Sequence, residues 1–515
     1  MLRKGTALLL LAACAVHAQA ENQTNNQADN PETVAERSQA TARAVLDQAV
    51  AAIGGAEALR SIEVVRLRLE GETWPRLQMP TASPPFAAGT QQETLLLDLK
   101  NNRLKLEQKV SGAGFDGDNT VVIKSGEGAN YDNRAHTITP IPAAQSSQQQ
   151  FVQYNRRVPQ LLLRQALDRE TSLRSLGKDT FEGKPHDVFT FVMADTQQVA
   201  VYVDSATHLV SKYELLFVDP FTGTEASEIM FGNYTRTGNF QVPTTWRTRQ
   251  AGDIVTRLQL KVELNPAITD QSFDVAADGY ARVAALPDTL DEKIEKLGDG
   301  LFVIQNVAGQ NQNTLAVEFE DYIVAVEAPG SSAGADEVIK RIKTAIPGKP
   351  IRYVVNTHSH FDHGSGLAPF VAEGATIITH ENNEAFLEKA LNSPRTLVGD
   401  TLAKAPKKAK IEGVGDKKTL KGGANVIELY HVRGLEHSDG MLLAYIPKQK
   451  ILMSADFNFP PPNAPPAPVN PAFVTLQQNI DRLKLDYDAF IPVHAPNPDR
   501  PLTKADVQAL MKGTN

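Results

Sequence analysis

The chain has 515 residues, of which 42% are hydrophobic, 22% charged and 6% aromatic, with 34 Gly and 31 Pro; this excludes a disordered, collagenous or membrane-spanning chain. The length asks for two or three domains rather than one core. Lys and Arg (52) against Asp and Glu (60) leave a formal charge of −8, no footprint for a nucleic-acid backbone, and the single cysteine, Cys14, excludes a disulfide scaffold or a multi-cysteine zinc site.

At the N-terminus, Arg3 and Lys4 precede an apolar run from about Thr6 to Val16, and Ala18-Gln19-Ala20 puts small residues where a signal peptidase reads. Residues 1–20 are predicted to be an export signal, too short for an anchor, which makes the mature chain periplasmic or secreted. Leu11-Ala12-Ala13-Cys14 resembles the bacterial lipobox, so a lipoprotein anchored through Cys14 is the alternative, and the one reading in which a membrane is a partner. Neither leaves a free thiol. Any metal must then be held by His, Asp and Glu.

Residues 21–36, rich in Asn, Gln and Asp, read as a flexible lead-in. Between Arg37 and Ile62, Val45, Leu46, Ala49, Val50 and Ile53 recur at helical spacing, interrupted by Gly54-Gly55. Strand patterns follow. Val65, Leu67 and Leu69 alternate with Arg66, Arg68 and Glu70, and Leu258, Leu260, Val262 and Leu264 alternate with Gln259, Lys261 and Glu263. A helical insert over about Gln148–Asp168 breaks the series. Half-polar alternating strands predict an antiparallel, β-rich accessory domain over residues 37–285, with one face wrapped over a helix. The phrases GKDTFEGK (177–184), VYVDSATHL (201–209) and FGNYTRTGNFQVP (231–243) resemble the curved-sheet fold of periplasmic lipoprotein carriers. That resemblance implies a hydrophobic ligand; a purely accessory or dimerisation domain is the competing reading.

From Leu297 to the C-terminus apolar runs alternate with helices: Leu315–Val326, helix Ala335–Ala345, Ile351–Asn356, helix Asn382–Leu391, Val426–Tyr430 and Met441–Ile446. Seven lysines against Glu412 and Asp416 between Lys404 and Lys421 read as a solvated face, and seven prolines between Pro460 and Pro471 as a stiff loop beside the site.

The chemistry concentrates in YVVNTHSHFDHGSG (353–366). An apolar strand ends at Asn356, and the loop then presents His358, His360, Asp362 and His363. Packing so many imidazoles together without a metal would be costly, so metal binding is expected. His437, Asp456 and His494 follow, each at the end of an apolar strand.

These seven residues, in this order, resemble the metallo-β-lactamase superfamily over about Leu297–Met511. The resemblance implies an αβ/βα sandwich, and hence an α+β two-domain chain. It assigns His358, His360 and His437 to one metal and Asp362, His363 and His494 to a second, with Asp456 bridging both as in the glyoxalase II and lactonase branches. His431 is the fallback for His437, because Glu436 stands where many relatives have Gly; Glu327 is expected to order the metal ligands from behind. Sulfur-free ligation suits two zinc ions and also tolerates iron or manganese.

The reaction so implied is attack of a bridging hydroxide on the carbonyl of an ester, lactone, thioester or amide, with Asp362 and Asp456 as catalytic carboxylates. A small-molecule substrate is the expected partner, a hydrophobic one being what the carrier resemblance implies, and no nucleic acid. A phosphodiesterase of the same fold and a hydrophobic-ligand carrier without turnover are the alternatives. His380 is expected to be structural or superficial, as are His136, His186 and His208. Nothing in the sequence specifies the substrate or the oligomeric state.

Overall fold

A computed structural model describes residues 32–112, 116–124, 126–141, 149–283, 292–307, 311–457, 469–494 and 500–511. The expected signal peptide with Cys14, most of the expected lead-in and most of the proline-rich loop lie outside these residues.

The first helix, Val34–Ile53, starts where Thr33 and Glu36 form a reciprocal capping box, and ends at Gly54 with φ of 144°. It therefore takes in the last three residues of the segment expected to be flexible, because the capping box overrides the polar composition upstream. Its buried face is Ala42, Leu46, Ala49, Val50 and Ile53, the spacing anticipated from sequence. The helical insert is two helices, Gln149–Tyr154 and Pro159–Leu167. Pro159 at the first turn of the second sets the break.

These helices fill the inner face of a 14-stranded sheet. Its first half runs back by hairpins from Thr137–Ile141 to Val64–Thr73, and its second runs from Asp253–Leu264 out to Arg174–Phe181. The two halves join where Val64–Thr73 pairs antiparallel with Asp253–Leu264, placing Leu67 beside Val262 on one side and Leu95 on the other. Leu46 and Ile53 pack with Val65, Leu67, Leu97, Phe189, Val201 and Leu260 in one core. The alternating residues Arg68 and Glu70 point to solvent.

The C-terminal domain is two sheets with helices on the outside. Its first sheet opens with Lys293–Gly298, slightly earlier than Leu297, because this exposed edge strand (Lys293, Glu295, Lys296) carries no apolar alternation to read. It continues through Leu301–Gln305, Asn313–Glu318 and Ile323–Val326 antiparallel, then Ile351–Val355, Thr376–His380 and Lys410–Val414 parallel. The second holds Lys417–Gly422, Asn425–His431, Leu442–Ile446, Ile451–Ser454, Ala489–Pro492 and Leu502–Thr503.

Neighbouring residues on the central strands serve opposite cores. Val355 and Ile378 face the second sheet, with Ile427, Leu443 and Met453, while Val354 and Ile377 face the helices Ser332–Ala345, Leu367–Glu373 and Glu381–Leu391. Burial on both faces is why these strands read as continuous apolar runs. No helix among the described residues is long and apolar enough to cross a membrane.

The two domains dock intimately. Phe221, in the turn between Val210–Asp219 and Gly223–Gly232, is fully buried in the helix-side core of the C-terminal domain. It meets Phe386 edge-on at 5.5 Å. A Cβ at Gly364 would overlap its ring, which is the steric reason for glycine there.

Candidate metal centre

The candidate ligands lie in the segments that connect the strands at one edge of the sandwich. His358 and His360 follow Ile351–Val355, and Asp362 and His363 lie in the single helical turn Phe361–Gly364. Asp456 follows Ile451–Ser454 and His494 follows Ala489–Pro492, a parallel pair; His437 lies in the loop between Asn425–His431 and Leu442–Ile446. Glu327 (φ 75°) and Asp456 (φ 57°) both hold left-handed backbone as they leave their strands, a conformation tolerated because the surrounding packing fixes it.

Two donor groups result: His358, His360, His437 and Asp456, and Asp362, His363, Asp456 and His494, each with ligating atoms within 4.8 Å of one another. Asp456 belongs to both. Its Oδ2 is 2.9 Å from His358 Nε2 and 2.8 Å from His437 Nε2, and its Oδ1 is 2.9 Å from His494 Nε2. His494 Nε2 is also 3.1 Å from Asp362 Oδ2.

The arrangement fits metal ions. His358 Nε2 and His437 Nε2 are 3.3 Å apart, and His494 Nε2 and His363 Nε2 3.2 Å. Donors bound at ~2.0–2.1 Å to one tetrahedral centre stand about 3.3–3.4 Å apart. His360, a member of the first group, has its Nδ1 buried without a hydrogen-bond partner. An orphaned buried imidazole nitrogen is costly unless a cation takes its lone pair.

Behind the ligands lies a buried polar scaffold. Thr357 Oγ1 contacts His358 Nδ1 at 3.2 Å, and the Thr357 N–H donates to Glu327 Oε2. Glu327 is fully buried, with Oε1 3.4 Å from His363 Nδ1. Asn356 Nδ2 donates to the His363 carbonyl, and Thr379 and Asn383 extend the chain to the Gly440 carbonyl. Such partners fix ligand orientation.

The protein's own surroundings split the histidines electrostatically. Burial and then the neighbouring His437 push His360 down to about 4, and burial with His360 and His363 beside it holds His358 well below its ordinary range. Burial opposes charge on His494 as well, but its hydrogen bonds to Asp362 and Asp456 outweigh it and raise the group to about 9. For Asp456, burial works upward and is outweighed by His363 and the hydrogen bonds from His358, His363 and His437, so the carboxyl stays far below the usual range.

The groups form the floor of a cavity of about 860 Å³, to which Asp362, His437, Asp456 and His494 are open. Leu435, Asn470 and Thr475 line one side; Gln78, Asp116 and Arg134 come from the N-terminal domain. All seven residues expected as ligands are thus brought together. His431 is not among them: its Nε2 bonds the Asp439 carbonyl, and its ring lies 4.0 Å from that of His380. His380 is buried, its Nδ1 accepting from the Asn382 N–H as cap of the helix Glu381–Leu391. His186 is buried against Ser211 and the Lys184 carbonyl.

The segment around Gln78 was not anticipated. Its one sequence signal is a pair of apolar residues, Leu77 and Met79, between Pro75 and Pro80 in a stretch with no strand period.

Residues 329–494 match the family model described as metallo-beta-lactamase superfamily. The 2,4-dinitroanisole O-demethylase subunit alpha of Nocardioides sp. (strain JS1661) is 26% identical over 189 residues, 35% of this chain and 52% of that protein. The chain therefore spans about half the length of this curated relative. The metallo-beta-lactamase from Pontibacter korlensis is 18% identical with a TM-score of 0.32, covering 44% of this chain and all of the other. The sec-alkylsulfatase Pisa1 from Pseudomonas sp. is 16% identical with a TM-score of 0.31, covering 43% of this chain and 40% of the other.

Proposed function

We propose that this chain, whose C-terminal region is a metallo-β-lactamase superfamily domain, is an exported hydrolase that holds two zinc ions and cleaves an ester, lactone, thioester or amide. The observation that carries the reading is that two His/Asp donor groups close on one carboxylate, Asp456, at the floor of an open cavity. Divalent ions bound there would supply Lewis acidity and a water acidic enough to attack near neutral pH.

The chain's own residues do the rest. His358, His360 and His437 would hold one ion, Asp362, His363 and His494 the other, and Asp456 both. Asp362 faces the cavity beside His494, so its carboxylate is placed to accept a proton from the attacking water and pass it to the leaving group. Glu327, Thr357 and Asn356 keep the buried ligands from turning. The cavity's size suits a small molecule.

The test is acid release by the mature protein, with and without chelator. The panel holds esters, lactones, thioesters, β-lactams and, because a relative is named for it, 2,4-dinitroanisole. Chelator-sensitive release from a carbonyl substrate is the expected result; cleavage of a phosphodiester to a monoester and an alcohol instead, or silence with two metals bound, would contradict it. Export rests on Arg3, Lys4 and the apolar run after them. Mass spectrometry of the secreted chain should find Glu21 first, whereas a lipidated Cys14 would establish the anchored form.

A further inference from the structure

Val64–Thr73 and Gly89–Asp98 are a hairpin in which Thr73 pairs with Gly89, so two residues would suffice to connect them. Fifteen residues, 74–88, stand there instead, and four consecutive ones reach the metal centre of the other domain. The Phe361 N–H donates to the Leu77 carbonyl at 3.0 Å, and the Asp439 N–H to the Pro80 carbonyl at 2.8 Å. Gln78 Nε2 donates to Asp362 Oδ1 at 3.3 Å, and His360 Nε2 lies 3.0 Å from the Met79 carbonyl oxygen. A part-buried ion pair between Arg76 and Glu225 ties the strap to its own domain.

A carbonyl oxygen only accepts, so the His360–Met79 contact requires a proton on Nε2. In the neutral ring that leaves the lone pair on Nδ1, the nitrogen that is buried and without a hydrogen-bond partner, on a histidine grouped with His358, His437 and Asp456. The strap thus selects the tautomer able to bind a cation, while Gln78 restrains the carboxylate of the neighbouring group.

We propose that residues 77–80 are a working part of the metal centre, with the Met79 carbonyl and the Gln78 carboxamide as positioning groups, so that the accessory domain and the hydrolase domain share one site. The inference rests on the reading above that these ligands hold metal. It gives the N-terminal domain a role other than carrying a ligand of its own.

The experiment measures zinc affinity of the full chain by competition with a chromogenic chelator, together with the visible absorption of its cobalt(II) form. It compares the parent with Gln78→Ala and with a variant in which residues 74–88 are replaced by Asn-Gly, melting curves confirming the fold. Removing a partner of a metal ligand typically weakens binding about 10–100-fold. The strap-less variant should lose that much at the centre holding His360 and show an altered cobalt spectrum. Gln78→Ala should weaken the other centre and leave the His360 spectrum unchanged. A merely structural strap would lower the melting temperature and leave affinity and spectrum as in the parent, which would overturn the proposal. Should the strap-less chain not fold, Gln78→Ala decides alone: affinity within twofold of the parent at both centres overturns it. A parent that binds no zinc would instead defeat the underlying hydrolase reading, so the two failures are distinct.

Discussion

Asp456 is the side chain on which both donor groups depend, with its two oxygens turned toward His358 and His437 on one side and His494 on the other. Replacing it by alanine removes a ligand common to both groups without touching the apolar packing of Ile451–Ser454. Asp456→Ala should therefore fold, bind fewer than two metal ions per chain, and lose at least about 100-fold in turnover. Among the histidines, His437→Ala should lose metal and His431→Ala should keep it, since His431 spends its Nε2 on the Asp439 carbonyl. Metal analysis of the two variants side by side checks this. The candidate ligands stood out in the sequence because metal chemistry restricts such residues to a few types, and four of them fall within six positions of one loop. Gln78 was not legible: a carboxamide in a proline-flanked stretch has no pattern, and only docking of the two domains brings it to Asp362.

At the level of elements, the strand ends do the positioning and the helix caps hold them. His380 both ends the strand Thr376–His380 and caps the helix that follows, its buried ring tilted against that of His431. Burial, helped by His431, lowers it from an ordinary 6.5 to about 4. The unfolded chain thus takes up this proton first as the pH falls. This group leaves stability unchanged above about pH 6.5 and lowers it by roughly 1–3 kcal/mol as the pH falls from there toward 4. His380→Asn keeps an acceptor at the cap but does not titrate. Its denaturation midpoint should fall less than the parent's between pH 6.5 and 4, and identical pH profiles would contradict the assignment. Periodicity revealed the long elements for a physical reason: Val34–Ile53 buries one stripe and Ile323–Val326 is buried on both faces. It could not reveal the edge strand Lys293–Gly298, whose side chains meet mostly water.

The molecule as a whole is a sandwich of two sheets clasped by a third, much larger sheet at two points. One is the strap over the ligands. The other is Phe221, a residue of the first domain that is buried in the core of the second, beside Phe386 and against Gly364. A phenylalanine at the tip of a turn, directly after Asp219-Pro220, is a sequence signal that such a tip is covered by something, though not by what. Phe221→Ala should cost about 3–5 kcal/mol, as large-to-small core changes do, and should raise protease cleavage between the domains. Gly364→Val should act in the same direction by overpacking, at about 1–3 kcal/mol, while also disturbing the turn that carries Asp362 and His363. Domain class and order were readable from the change of hydrophobic period. The clasp was not, since it rests on contacts between residues more than a hundred positions apart.

The central claim is that seven side chains from the segments connecting the strands of one domain hold two metal ions around Asp456. The most direct measurement is the metal content of the purified full chain beside that of Asp456→Ala, by elemental analysis after removal of free ions. The account predicts two divalent ions per chain in the parent and one or none in the variant, with both proteins folded. A parent that retains no metal, or a variant that retains two, would contradict it.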